Sequence, residues 1–293
     1  MAYSHHYEIL LASVIAARAT SFIFSKMLLE SIDTFALLGI RFLLAFLLLA
    51  LLFVRHLIHI DRRVLLSGFI IGVLYFLLMV CELTALKTTD SSMVSLLENC
   101  SIILVPLLNA LILWKLPSAK SILCAVIAMV GVALLTSKVG KISASILLAL
   151  CAAFLYAIAI VVTGNLTQKT KSAESALCIG IIQLGVIGIL ALTVSFIRGT
   201  FSLPANFSQW AMLLMLVIVC TGFGYTLQPV AQSKVSIERS GLFCSINPAI
   251  ATILGVLVLH ETFGILSILG ILLILFSIML PYIQIKSDSK NPE

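Results

Sequence analysis

Four ionisable side chains stand inside apolar stretches of this chain: Arg18, Arg41, Glu82 and Glu98. A charge at the centre of a membrane helix costs about 2.5 to 3.5 kcal/mol on insertion scales, so its presence points to a task. The two guanidiniums offer forked donors that suit a carboxylate or another anionic group. The two carboxyls offer the reverse, a site for a cationic or zwitterionic solute. They could also carry a coupled proton, because burial disfavours a charged carboxylate while a nearby arginine favours it. All four are expected to face a cavity, with Arg41 and Glu98 as an ion pair. A permanent interhelical clamp is the alternative for that pair, and Glu82 could instead reach the membrane interface.

Neutral polar residues extend the candidate lining. Asn99 follows Glu98, Gln183 takes in the seventh apolar stretch the place that Arg41 holds in the second, and Tyr156 takes in the sixth the place of Arg18. The lining is therefore cationic on one side and neutral on the other. Gln228-Pro229 and Asn247-Pro248 should interrupt backbone bonding, because proline has no N–H, and such interruptions serve as gates or as static kinks.

Positioning these groups requires helices that cross a bilayer. Apolar stretches run approximately over 7–29, 33–54, 63–86, 90–113, 118–136, 142–165, 174–197, 209–232, 236–259 and 264–285. A bilayer core of about 30 Å takes about 20 helical residues. The 293 residues are 61% hydrophobic and 10% charged, which leaves no polar surface for a water-soluble globule. The runs lack two-residue alternation, so a transmembrane β-barrel is excluded. At 1.5 Å per residue Arg18 lies about 17 Å deep from one face, and Arg41 and Glu98 about 12 Å from the other.

The connections hold no soluble domain, no Walker A loop and no second histidine four residues after His260, where Gly264 stands. An enzyme is not expected, and neither is a cofactor. His56 and His59 lack further ligands nearby, so no metal site is expected. Seven cysteines fall within apolar stretches and read as reduced packing residues. The beginning of the chain lacks the positive region of a secretory signal, so the first helix is expected to remain.

With the N-terminus inside, eleven Lys and Arg fall in inside segments and five outside; both termini are then cytoplasmic, in a cell membrane. The net charge of +6 suits anionic lipid and gives no reason to expect nucleic acid as a partner.

The segment 85–134 reappears in outline at an offset of 146 residues. Ala85 matches Ala231, Leu96 matches Leu242, and Ser121-Ile122-Leu123 matches Ser267-Ile268-Leu269. The break at Trp114-Lys115-Leu116-Pro117 falls in register with that at His260-Glu261-Thr262-Phe263. Five helices per unit, an odd number, inserts the second unit upside down, an architecture suited to alternating access. The expected fold is an all-α integral membrane protein, ten transmembrane helices as two inverted five-helix repeats, divided at 1–140 and 141–293.

Ala85-Leu86-Lys87-Thr88-Thr89, Ser245-Ile246-Asn247-Pro248, Leu259-His260-Glu261-Thr262 and Arg41, in this order and spacing, resemble the drug/metabolite transporter superfamily in its ten-helix EamA-like form. Arg18-Ala19-Thr20-Ser21-Phe22 sits where many members carry a tryptophan-glycine pair, Ile102 where the repeat would place a proline, and Lys115-Leu116 where it would place the glutamate ending. The resemblance implies export of a small polar metabolite such as an amino acid, or of a drug-like compound, by alternating access with a proton as candidate coupled ion. A homodimer is compatible with it. The rival reading is a non-transporting membrane scaffold or sensor.

Overall fold

The computed structural model describes residues 2–58, 60–112, 119–136, 143–170, 172–235, 240, 243–244 and 246–288, with no strand among them. The break at 114–117, Lys115, Lys138, Lys141, Lys171, Arg239, Ser245, Lys290 and the boundary between the proposed units lie outside the described residues.

The helices are α1 (Ala2–Ala19), α2 (Ser21–Leu28), α3 (Thr34–Leu52), α4 (Val54–Ile58), α5 (Arg62–Leu86), α6 (Ser91–Asn99), α7 (Ser101–Ile112) and α8 (Ala119–Thr136). They continue with α9 (Ala144–Gln168), α10 (Ala173–Ile197), α11 (Phe207–Met215), a π-helical segment (Leu216–Tyr225), α12 (Thr226–Gln232), α13 (Ile246–Leu259) and α14 (Ile265–Asp288). Short polar side chains start several of them. Asp33 accepts from the Phe35 N–H, Ser172 from the Ser175 N–H and Asn206 from the Gln209 N–H, each filling a donor that the first turn leaves open.

Six helical stretches are long and apolar enough to cross a membrane: His6–Leu28, Thr34–Leu52, Arg62–Leu86, Ala144–Gln168, Ala173–Ile197 and Phe207–Gln232. The chain is a multi-pass membrane protein. The other four expected spans contain shorter apolar helices among the described residues. Outward faces carry Leu51, Leu52, Ile197 and Phe207, all strongly exposed, as a lipid environment demands. The segment expected as a loop between Arg55 and Arg63 instead opens on the helical turn of α4.

Three spans depart from the continuous α-helices that hydropathy predicts. The first breaks at Thr20, whose hydroxyl donates back to the Ala17 carbonyl at 2.8 Å. The fourth breaks at Cys100, where Asn99 and the Cys100 thiol both donate to carbonyls four residues earlier. Such back-bonding competes with the helical ladder and bends it. The eighth contains the ten-residue π segment. Arg18 and Glu98 each stand two residues before a break.

Packing exchanges helices between the halves. The first span lies on the π segment, α12 and α13, whereas α9 lies on α5, α6 and α7. Between these two groups, α10 packs against both α3 and α5, and α8 pairs with α14. Close approach needs small residues: at Gly180 an added Cβ would meet the Thr226 carbonyl oxygen at 2.3 Å.

Candidate functional site

At the meeting of the two groups, three tyrosines surround Arg18. Its guanidinium carbon lies 4.1 Å from the ring centre of Tyr225, 5.3 Å from Tyr156 and 5.8 Å from Tyr75, within cation–π range. The same group donates to the hydroxyls of Tyr156 and Tyr225 at 3.1 Å and to the Gln228 side-chain oxygen. Gln228 then donates to Tyr75 at 3.0 Å, and Tyr156 lies 3.4 Å from the Cys244 sulfur. Gly224 leaves room for this arginine, since a Cβ there would sit 2.7 Å from Arg18 Cγ.

Arg41 enters from α3. Its Nε donates to the Thr221 hydroxyl at 2.5 Å and its Nη1 to Ser25 at 3.4 Å. The expected Arg41–Glu98 ion pair is not formed. Arg41 turns toward the π segment, and Glu98 stands beside Glu82. Glu82 is 3% exposed, buried within the protein. Lys87 and Asp33 form an ion pair at 3.4 Å.

The cluster is incompletely satisfied. Arg18 Nε, Arg41 Nη2, Glu82 Oε2, Glu98 Oε2, Asn99 Oδ1, Gln183 Oε1 and Asn247 Oδ1 are buried without a hydrogen-bond partner. Buried polar groups are ordinarily paired, and each exception calls for an explanation. Donors and acceptors are both left open here, and a solute carrying groups of both kinds would satisfy them.

Of the residues singled out in the sequence, Arg18, Tyr156 and Gln228 touch directly. Gln183 joins through the Tyr225 carbonyl, to which its amide donates at 2.6 Å. Pro229 lies within α12 and Pro248 within α13. Sequence reasoning missed Tyr75, Tyr225, Thr221 and Ser25. The pair Gly222 and Gly224 beside Pro229 was the available signal for an irregular helix at Tyr225. A cavity of about 360 Å³ beside Arg55, His56, Asp61 and Glu174 shares no residue with this cluster.

The profile of the EamA-like transporter family matches residues 6–137 and 143–283, nearly the whole chain in two copies. The chain belongs to the EamA-like transporter family. The EamA-like fold is also that of a crystal structure described only as a protein, which aligns with 98% of this chain and 99% of its own at 14% identity and a TM-score of 0.69. No curated protein matches the sequence. EamA-like proteins are transporters rather than enzymes, so this chain is read as a membrane transporter.

Proposed function

We propose that this protein is a secondary transporter that exports a small polar metabolite bearing a carboxylate, such as an amino acid, by alternating access across the cell membrane. The observation that carries this reading is the buried cluster with open valences on both guanidiniums and both carboxyls. A substrate carboxylate would take Arg41 Nη2, and an ammonium or hydroxyl would take the open oxygens of Glu82 and Glu98. Ten crossings in two inverted sets would place this cluster between the halves, with both termini cytoplasmic.

Contacts at the two ends support alternating access. Lys26 donates to the Thr89 carbonyl at one end, and Gln168 donates to the Val235 carbonyl at 3.3 Å at the other. Thr89 and Val235 are separated by the repeat offset of 146 residues, so corresponding sites on the two units receive corresponding ties. Opening one tie while the other holds gives access from one side at a time.

The Glu82–Glu98 pair is the proposed carrier of the coupled proton. Substrate binding that places a cation beside the pair favours release of the shared proton, and loss of the substrate favours its return. The test is a comparison of metabolite efflux and uptake under an imposed proton gradient for the wild type, Arg18→Ala and Glu98→Gln. A carboxylate-bearing solute whose flux collapses in both variants supports the reading. Flux that survives both would make these charges structural.

A further inference from the structure

Away from the central cluster, the Glu261 carboxylate bridges the end of α13 to the start of α6. Its Oε1 accepts from the Ser91 N–H at 2.7 Å and the Ser91 hydroxyl at 2.6 Å; its Oε2 accepts from the Ser92 N–H at 3.2 Å and from the Ser92 hydroxyl. Four donors and the positive end of a helix thus converge on one carboxylate, and hydrogen bonds to a charged acceptor are the strong kind. Glu261 is 9% exposed, and both serines are wholly buried.

The local backbone is shaped for this contact. His260 adopts φ = 55°, the left-handed turn that usually falls to glycine after a helix, and so reverses the chain. The Glu261 N–H then returns to the Gly255 carbonyl at 3.1 Å. Gly255 provides the space, since a Cβ there would lie 2.5 Å from Glu261 Oε2 and 3.2 Å from the Ser91 hydroxyl oxygen.

This bond joins the two packing groups, because α13 lies with the first span and α6 lies with α9. It also holds the helix that carries Glu98 and Asn99. At the same offset the first unit has Lys115 in place of Glu261, and the second has Ile237 and Glu238 in place of Ser91 and Ser92.

We propose that Glu261 is a gate-holding, positioning residue: its carboxylate closes the end of the transporter at which α6 begins, and access to the central cluster from that end requires its release from Ser91 and Ser92. The proposal rests on the reading of the chain as an alternating-access transporter.

The test uses no substrate, so it is separable from the transport reading. Cys244, beside Tyr156 in the central cluster, serves as a native reporter. Right-side-out and inside-out membrane vesicles are treated with a membrane-impermeant maleimide, and modification of Cys244 is read by peptide mass spectrometry. Glu261→Gln, Ser91→Ala/Ser92→Ala and Gly255→Ala are compared with the wild type. The expected result is a rise of about tenfold or more in labelling from one face in all three variants, with little change from the other face. The serine double variant and Gly255→Ala keep the test open should Glu261→Gln fail to fold. Labelling unchanged in the folded variants, or raised equally from both faces, would overturn the proposal and leave Glu261 as an ordinary helix cap. Absence of any transported solute alongside one-sided labelling would instead count against the transport reading alone.

Discussion

Gln183 donates its side-chain amide to the carbonyl of Tyr225, the carbonyl that Pro229, four residues on, has no N–H to serve. One helix thereby repairs the backbone of another at the point where Tyr225 and Thr221 are presented to the two arginines. Replacing Gln183 by Leu should leave that buried carbonyl open and destabilise the protein by about 1 to 3 kcal/mol. Pro229→Ala restores a backbone donor, so the double variant should recover part of the loss, as a thermal-unfolding double-mutant cycle would show.

The carboxyl pair predicts a second outcome. If Glu82 and Glu98 exchange the coupled proton, Glu98→Gln should lower proton-driven flux by more than about tenfold, while protein abundance in the membrane holds. Glu82→Gln should do the same. Reconstituted vesicles with an internal pH indicator measure both directly, and proton movement unaffected by either substitution would remove the pair from the coupling role.

Hydropathy made the long helices legible because each is a continuous apolar run, and the buried charges stood out by their cost in such runs. The geometry joining them was not legible. The Arg41–Glu98 pair was expected from equal depth along two helices, but depth leaves rotation undetermined, and in three dimensions Arg41 faces Thr221 while Glu98 faces Glu82. The breaks at Thr20 and Cys100 arise from side chains bonding to their own backbone, which hydropathy does not register. Tyr75 and Tyr225 carry no charge to mark them in an apolar run, and only the fold brings Tyr225 over Arg18.

Asp33 gives a prediction in pH. Partial burial works against its charge, but the Phe35 N–H, the Lys87 ammonium and the Thr200 hydroxyl outweigh it and hold its carboxyl below the usual carboxylate range. A depressed carboxyl contributes stability above its unfolded value, about 3.9, and loses it as pH falls through the lower folded value. Asp33→Asn should therefore melt below the wild type at pH 7, and the gap should narrow as the medium is acidified into that window. A gap independent of pH would assign the effect to the cap's shape rather than its charge.

Cys81 on α5 and Cys151 on α9 place their sulfurs 4.0 Å apart. Since α5 and α9 belong to one packing group, a crosslink between them should leave rocking of that group intact. Oxidation by hydrogen peroxide would join the two thiols and release two waters; non-reducing mass spectrometry should detect the linked peptides. Transport should then persist at close to the reduced rate. Full arrest on crosslinking would show that α5 and α9 move against each other.

The central claim, that the half-satisfied cluster around Arg18 handles a carboxylate-bearing solute, is tested most directly by metabolite profiling of cells producing the wild type, Arg18→Ala or no protein. The account predicts that at least one carboxylate-bearing metabolite is exported with the wild type and retained with Arg18→Ala at equal membrane abundance. Export that is indistinguishable between wild type and Arg18→Ala would contradict it.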